Sequence, residues 1–384
     1  MKDLRTALEQ RRRDGLYRSR RIAESPQLPG RRIAGRDCLS FCSNDYLGLA
    51  AHPQVVAALQ TGAQRWGAGS GAAHLLAGHT AAHHALEEEL AEFVGAPRAL
   101  LFSTGYMANL GVMSVLPGRG GRLFQDRLNH ASLLDGARIC GARLMRYAHL
   151  DLQDLQRRLA LAPAGERLIA SDGVFSMDGD CAPVSELLAL ARTHAAWLLL
   201  DDAHGLGVRG EQGRGSLAQA GISPDNDVIL MGTLGKALGT FGAFVAGSGD
   251  VIETLIQQAR SYVYTTAPPA AVAEATRAAL RLCREEGWRR ERLRALIGRF
   301  RTGADQLGLP LMASATPIQP LLIGAADAAT RLSEALEAAG ILVPAIRPPT
   351  VPEGAARLRI SFSATHEDAA VDRLLDTLGS AIRG

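Results

Sequence analysis

Residues 197–205 read Trp197-Leu198-Leu199-Leu200-Asp201-Asp202-Ala203-His204-Gly205, and residues 228–239 read Val228-Ile229-Leu230-Met231-Gly232-Thr233-Leu234-Gly235-Lys236-Ala237-Leu238-Gly239. Each is a short apolar run that breaks directly into polar and small residues. Runs of this length bounded by turn residues read as strands buried on both faces, the mark of a parallel sheet covered by helices. Five more candidates lie at 99–103, 122–125, 143–147, 167–171 and 243–246, separated by helical stretches. One such helix spans 84–94, where Leu86, Leu90, Phe93 and Val94 recur at helical spacing and Gly95 stands where a C-terminal cap belongs. The alternation predicts an α/β fold with one seven-stranded, mainly parallel sheet. Residues 1–48 read as an Arg-rich N-terminal arm with a short helix over 4–13. Residues 49–285 form the large α/β domain, and 286–384 a smaller α+β domain with strands near 318–323 and 358–362.

In open α/β sheets ligands bind where strands end at their carboxyl side, so the polar residues after each run are the first place to look for chemistry. Asp201 can hold a protonated pyridine nitrogen, and His204, three residues on, can reach a phenolic oxygen of the same ring. The plain alternative is an acidic turn capped by a histidine. Thr233 offers a hydroxyl to a phosphate, and Lys236 an amine to an aldehyde. Of the 42 basic residues only Lys2 and Lys236 are lysine. Arginine replaces lysine on most surfaces but cannot lose its proton and attack a carbonyl, so a retained lysine at a strand end points to an imine-forming amine. A surface lysine left by chance is the alternative. The segment is not a nucleotide-binding P-loop, because it lacks the G-x-x-x-x-G-K-[ST] spacing and has Ala237 after the lysine.

Two further strand ends carry polar groups. Thr104-Gly105-Tyr106-Met107 opens a helix whose N-terminus suits a phosphate, and Asp126-Arg127-Leu128-Asn129-His130 puts an imidazole at the same edge; taken singly, an ordinary strand-to-helix turn and a structural histidine are the plainer readings. Together these residues predict a pyridoxal phosphate (PLP) enzyme with Lys236 bound to the cofactor.

Composition bounds the partners. The formal charge of +3 gives no electrostatic case for nucleic acid or a membrane surface, and no stretch approaches the roughly 20 apolar residues of a membrane span. Five cysteines at 38, 42, 140, 181 and 283 form no C-x-x-C pair and argue against a disulfide framework, which fits a reducing cytoplasm.

In these residues the chain resembles the α-oxoamine synthases, a family of fold-type I PLP-dependent transferases. The similarity runs from Phe41-Cys42-Ser43-Asn44-Asp45-Tyr46-Leu47-Gly48 to the C-terminus. It takes in Gly173-Val174-Phe175-Ser176-Met177-Asp178-Gly179-Asp180, 201–205, Glu211-Gln212-Gly213-Arg214-Gly215, 233–236 and Ala345-Ile346-Arg347-Pro348-Pro349-Thr350-Val351-Pro352. The resemblance implies that Lys236 forms a Schiff base with PLP, Asp201 pairs with the pyridine nitrogen, His204 and Ser176 reach the ring's O3′ side, and His130 stacks on its face. Phosphate contacts would come from the Gly105 and Tyr106 backbone, from Thr233, and from Thr265 and Thr266 of the other subunit of a homodimer. Asn44 and Arg359 would bind the amino-acid carboxylate, and Arg18, Arg347 and Thr350 the acyl donor; no metal is implied.

The stretch 346–352 is similar to that of the family member acting in biotin biosynthesis. It implies L-alanine condensing, with loss of CO2, with a pimeloyl thioester of CoA or acyl carrier protein. A glycine-using sister activity or a catalytically silent subunit are the rival readings. Two departures stand out. Tyr106 replaces a frequent phenylalanine, and the turn at 69–74 is poorer in glycine and serine after Gly71 than is usual, so no ligand contact is assigned there.

Overall fold

The computed structural model describes residues 3–14 and 16–383. Seven strands form one sheet: β1 (Arg98–Phe102), β2 (Arg122–Asp126), β3 (Arg143–Tyr147), β4 (Arg167–Asp172), β5 (Trp197–Asp201), β6 (Val228–Thr233) and β7 (Ala243–Gly247). Their order across the sheet is β1-β7-β6-β5-β4-β2-β3. Only β7 is antiparallel to its neighbours, so β1 to β6 all point the same way. The seven expected strands are all present, most of them a residue or two longer.

Why the runs are apolar throughout is plain from their packing. Leu198, Leu200, Val228, Leu230, Phe244 and Ala246 belong to the core on one face of the sheet. Leu199, Ile229, Met231, Ala243 and Val245, at the alternate positions, belong to the core on the other. Side chains alternate along a strand, so a strand covered on both sides must be apolar at every position.

The expected arm helix is present as Leu4–Arg13, capped by the Asp3 side chain. The helix expected over 84–94 begins three residues earlier, as Ala81–Val94. Its start was hidden because Thr80 and His83 form a capping box without the usual Glu or Gln. Gly95 ends it at φ 71°, a left-handed conformation that suits glycine.

The sequence pattern marks residues 30–40 only as arm, yet they form a hairpin, Gly30–Ile33 against Arg36–Ser40. Its inner strand runs parallel to Ile341–Leu342. A second small sheet pairs Ala356–Ser361 with Ile318–Gly324 and Ala345–Ile346. Phe300, Leu358 and Phe362 of this C-terminal part pack into the first core, so the two layers share one interior.

The reversal of strand order falls between β2 and β4, and loops around this point carry site residues. His149 joins two of them: its Nδ1 lies 2.9 Å from Asp126 Oδ1 and its Nε2 2.7 Å from Asp180 Oδ2. Burial alone would push its pKa down, but the two carboxylate hydrogen bonds outweigh that and carry it up to about 9. A pKa raised on folding gives stability that is complete below the ordinary value of 6.5 and is lost as pH rises through 9. The stability difference between wild type and His149→Asn should therefore be on the order of 1–2 kcal/mol at pH 6 and shrink through that window. Urea unfolding at several pH values checks this, and a difference independent of pH would remove the charged imidazole from the account.

Candidate active site

One cavity of about 200 Å³ opens at the carboxyl edge of the sheet, lined among others by Gly105, His130, Asp172, Asp201, His204 and Lys236. The sheet geometry explains the convergence. Asp172 ends β4, Asp201 ends β5 beside it in register, Thr233 ends β6, and Gly105 and His130 follow β1 and β2. Tyr106, Ser176 and Thr233 also line it. The eight residues expected around the cofactor ring and the near phosphate contacts are thus brought together.

Consecutive strand residues face opposite ways, and this separates the two aspartates. Asp201 reaches the cavity, where Asn109 Nδ2 donates to its Oδ2 at 2.8 Å and the Ala203 N–H to its Oδ1 at 3.1 Å. Asp202 is fully buried behind it and accepts from the Ser216 N–H and Oγ, both at 2.6 Å. Burial pushes its pKa up to about 6. A Cβ on Gly205 would lie 2.1 Å from Asp202 Oδ1, so this turn closes only around glycine.

Lys236 Nζ lies 2.9 Å from His204 Nε2. Burial lowers the lysine pKa to about 8, against the opposing pull of Asp201 and Asp172. Burial, and then the nearby Lys236 charge, hold His204 well below the usual histidine range. His130 is lowered as well, mainly by burial. Asp172 goes the other way: burial, with the Asp201 charge next, raises it far above the carboxylate range.

Beside the cavity, Arg359 Nη2 donates to Asn44 Oδ1 at 3.2 Å and its Nε to the Ser176 carbonyl at 2.5 Å. The expected carboxylate pair is therefore assembled next to Ser176. Thr265 and Thr266 do not line this cavity; Thr266 is exposed and bridges Ala73. Arg18 and Thr350 are exposed and Arg347 half-buried, all outside the lining. Asp172, Asn109, Ser132 and Tyr46 were not singled out in the sequence. Asp172 ends a strand like the others and was legible by the same rule; the rest are set by tertiary contact alone.

The donor set suits PLP. A helix N-terminus at Gly105–Val115 opens on the cavity, and the first N–H groups of a helix have no acceptor inside it, which favours a phosphate. An ionisable carboxylate, a low-pKa amine and an imidazole complete the site.

The Aminotransferase class I and II family model matches residues 36–378, and the chain belongs to that family. An 8-amino-7-oxononanoate synthase from Thioalkalivibrio sulfidiphilus is 63% identical over 385 residues, covering 100% of this chain and 98% of its own. Among solved structures, a serine palmitoyltransferase from S. paucimobilis with PLP bound is 31% identical at a TM-score of 0.92, covering 99% of this chain and 96% of its own. An 8-amino-7-oxononanoate synthase from Francisella tularensis is 32% identical at 0.79, covering 90% and 98%. Fold similarity does not separate these sister enzymes; identity of 63% along the whole length does. Within its family the chain is a PLP-dependent acyltransferase of the 8-amino-7-oxononanoate synthase type, an enzyme of biotin biosynthesis. Among the described residues no helix is long and apolar enough to cross a membrane.

Proposed function

We propose that the enzyme condenses L-alanine with a pimeloyl thioester, carried on CoA or acyl carrier protein, to 8-amino-7-oxononanoate with release of CO2 and the free thiol. The observation that carries this reading is the Lys236 amine, held at low pKa within 2.9 Å of His204 and in one cavity with Asp201. Lys236 would hold PLP covalently, Asp201 its ring nitrogen, His204 and Ser176 its O3′ side, and His130 its face. Gly105, Tyr106 and Thr233 would hold the phosphate. Bound there, the ring supplies an electron sink for the bonds broken at the amino-acid α-carbon.

The chain's own groups do the rest. Asn44 and Arg359 fix the substrate carboxylate, which sets the α-carbon against the amine. Lys236 Nζ takes the α-proton, a task for which an amine near neutral pKa is suited. Arg18, Arg347 and Thr350 meet the acyl donor, where a bidentate arginine favours a terminal carboxylate over a methyl end. The residues divide into the arm, large domain and small domain at 48 and 285, and the free cysteines fit a cytoplasmic protein.

Pimeloyl thioester with L-alanine should exceed acetyl or succinyl thioester with glycine in kcat/KM. A methyl pocket alone is worth roughly 1–3 kcal/mol, or about 10–200-fold. A competition assay giving the reverse order would move the chain to a glycine-using sister activity.

We also propose a homodimer with shared sites, in which Thr265 and Thr266 serve the neighbour's phosphate. Supporting this, their segment bears an exposed hydroxyl and lies outside its own chain's cavity lining. Equal mixing of Lys236→Ala with the double variant Thr265→Ala/Thr266→Ala makes half of all dimers hybrids with one intact site. Activity should return to about a quarter of wild type. No recovery after verified subunit exchange would rule the sharing out.

A further inference from the structure

Tyr46 is fully buried, and its hydroxyl lies 2.6 Å from His204 Nδ1, on the side of the ring away from Lys236. The same hydroxyl can donate to Asn44 Oδ1 at 3.3 Å, the oxygen that already accepts from Arg359. His204 Nε2 is 2.9 Å from Lys236 Nζ. An unbroken line of polar contacts thus runs from the amine through the imidazole and the phenol to the Asn44–Arg359 pair.

We propose that Tyr46 is a positioning residue that places the His204 proton and thereby decides whether Lys236 faces an imidazole donor or an imidazole acceptor. A phenol has one hydrogen to give and can also accept, and a neutral imidazole carries its proton on one nitrogen only. When Tyr46 donates to Nδ1, the proton is on Nε2 and points at a neutral Lys236 amine. When Tyr46 turns to Asn44, it accepts from Nδ1–H, and bare Nε2 receives a hydrogen bond from the Lys236 ammonium. One hydroxyl rotor therefore serves both charge states of the amine.

Burial keeps His204 neutral and raises the Tyr46 phenol, so neither group leaves this exchange by ionising. The other charged groups around the amine and the ring are Asp201 and Asp172 at the strand ends, His130 after β2, and Arg359 from Ala356–Ser361. None of these is within hydrogen-bond reach of Nδ1 among the described contacts.

Removing the hydroxyl leaves Nδ1 with no partner. A buried bare acceptor is tolerated better than a buried orphan N–H, so His204 should keep its proton on Nε2 and deny the ammonium its acceptor. In Tyr46→Phe the Lys236 pKa should then fall by about one pH unit, the scale of one lost hydrogen bond.

The test uses the full chain stripped of cofactor and checked for folding by circular dichroism. Pulse modification with an amine-selective reagent across pH, read by mass spectrometry on the peptide holding Lys236, gives the midpoint. It is expected near 8 in wild type and lower in Tyr46→Phe; an unmoved midpoint in a folded variant overturns the proposal, since a packing role would not shift it. In wild type, 15N resonances of the His204 ring should show the proton moving from Nδ1 to Nε2 as Lys236 deprotonates, and a fixed tautomer through that titration would equally overturn it. The inference rests on Lys236 as the working amine, but these readouts concern its protonation alone, so their failure leaves that reading in place.

Discussion

Lys236→Ala should lower kcat by at least about 10³-fold, the largest loss expected from any single substitution in this chain. The reason is that no other group can substitute. Lys236 is the only lysine among the described residues, and arginine, which supplies all other basic charge besides Lys2, holds its proton too firmly to bind an aldehyde. Lys236→Arg is the sharper variant, because it retains the cation and fails for want of an attacking amine. Borohydride treatment of the wild-type holoenzyme should fix the cofactor mass onto the peptide containing Lys236, and onto no peptide of either variant. Normal turnover in Lys236→Arg would overturn the covalent role, and a label found elsewhere would relocate it.

Much of this site was legible in the sequence because the fold makes it so. A strand buried on both faces must be apolar throughout, and the residues after it are the first that may be polar. Asp201, Thr233 and His130 stand out for that reason, and Lys236 for its rarity. Asn109 and Tyr46 do not stand out. One lies within an ordinary helix and the other in a loop nearly 160 positions from the histidine it touches, and local pattern carries no record of such contacts. The hairpin over residues 30–40 is hidden in the sequence for a related reason. Its first strand alternates exposed and half-buried residues over only four positions, its second runs from exposed Arg36 to buried Ser40 without alternation, and its pairing with Ile341–Leu342 joins segments about 300 positions apart. The distribution of Thr265, Thr266, Arg18, Arg347 and Thr350 outside the cavity lining follows the same line, since their expected partners are another subunit or a long acyl chain.

Asp201→Asn should lower kcat/KM by about 10²–10³-fold, the scale of one preorganised electrostatic contact in a water-poor site, while leaving the fold intact. The expectation of an intact fold comes from the neighbours. The Ala203 N–H can still donate to the remaining oxygen, but the new amide would set donor against donor at Asn109 Nδ2, 2.8 Å away in the wild type. Asn109 can relieve this by turning its own amide over, at the cost of leaving its Nδ2 in the buried place where the unpartnered Oδ1 now stands. Turned, that oxygen accepts from the new amide, and the other end of the contact, Ser132 Oγ, lies where a hydroxyl can serve as donor or acceptor. Replacing the carboxylate also removes the charge that helps raise Asp172 and, with it, the attraction that supports the Lys236 ammonium. These changes are local and small, so the cofactor-free variant should stay folded with a thermal midpoint within about 5 °C of wild type, the scale of one or two kcal/mol. Calorimetry on the cofactor-free protein and steady-state kinetics on the loaded one separate the two effects. Activity lost with the midpoint held assigns Asp201 to the chemistry, activity lost with a collapsed midpoint assigns it to the fold, and activity retained removes it from both.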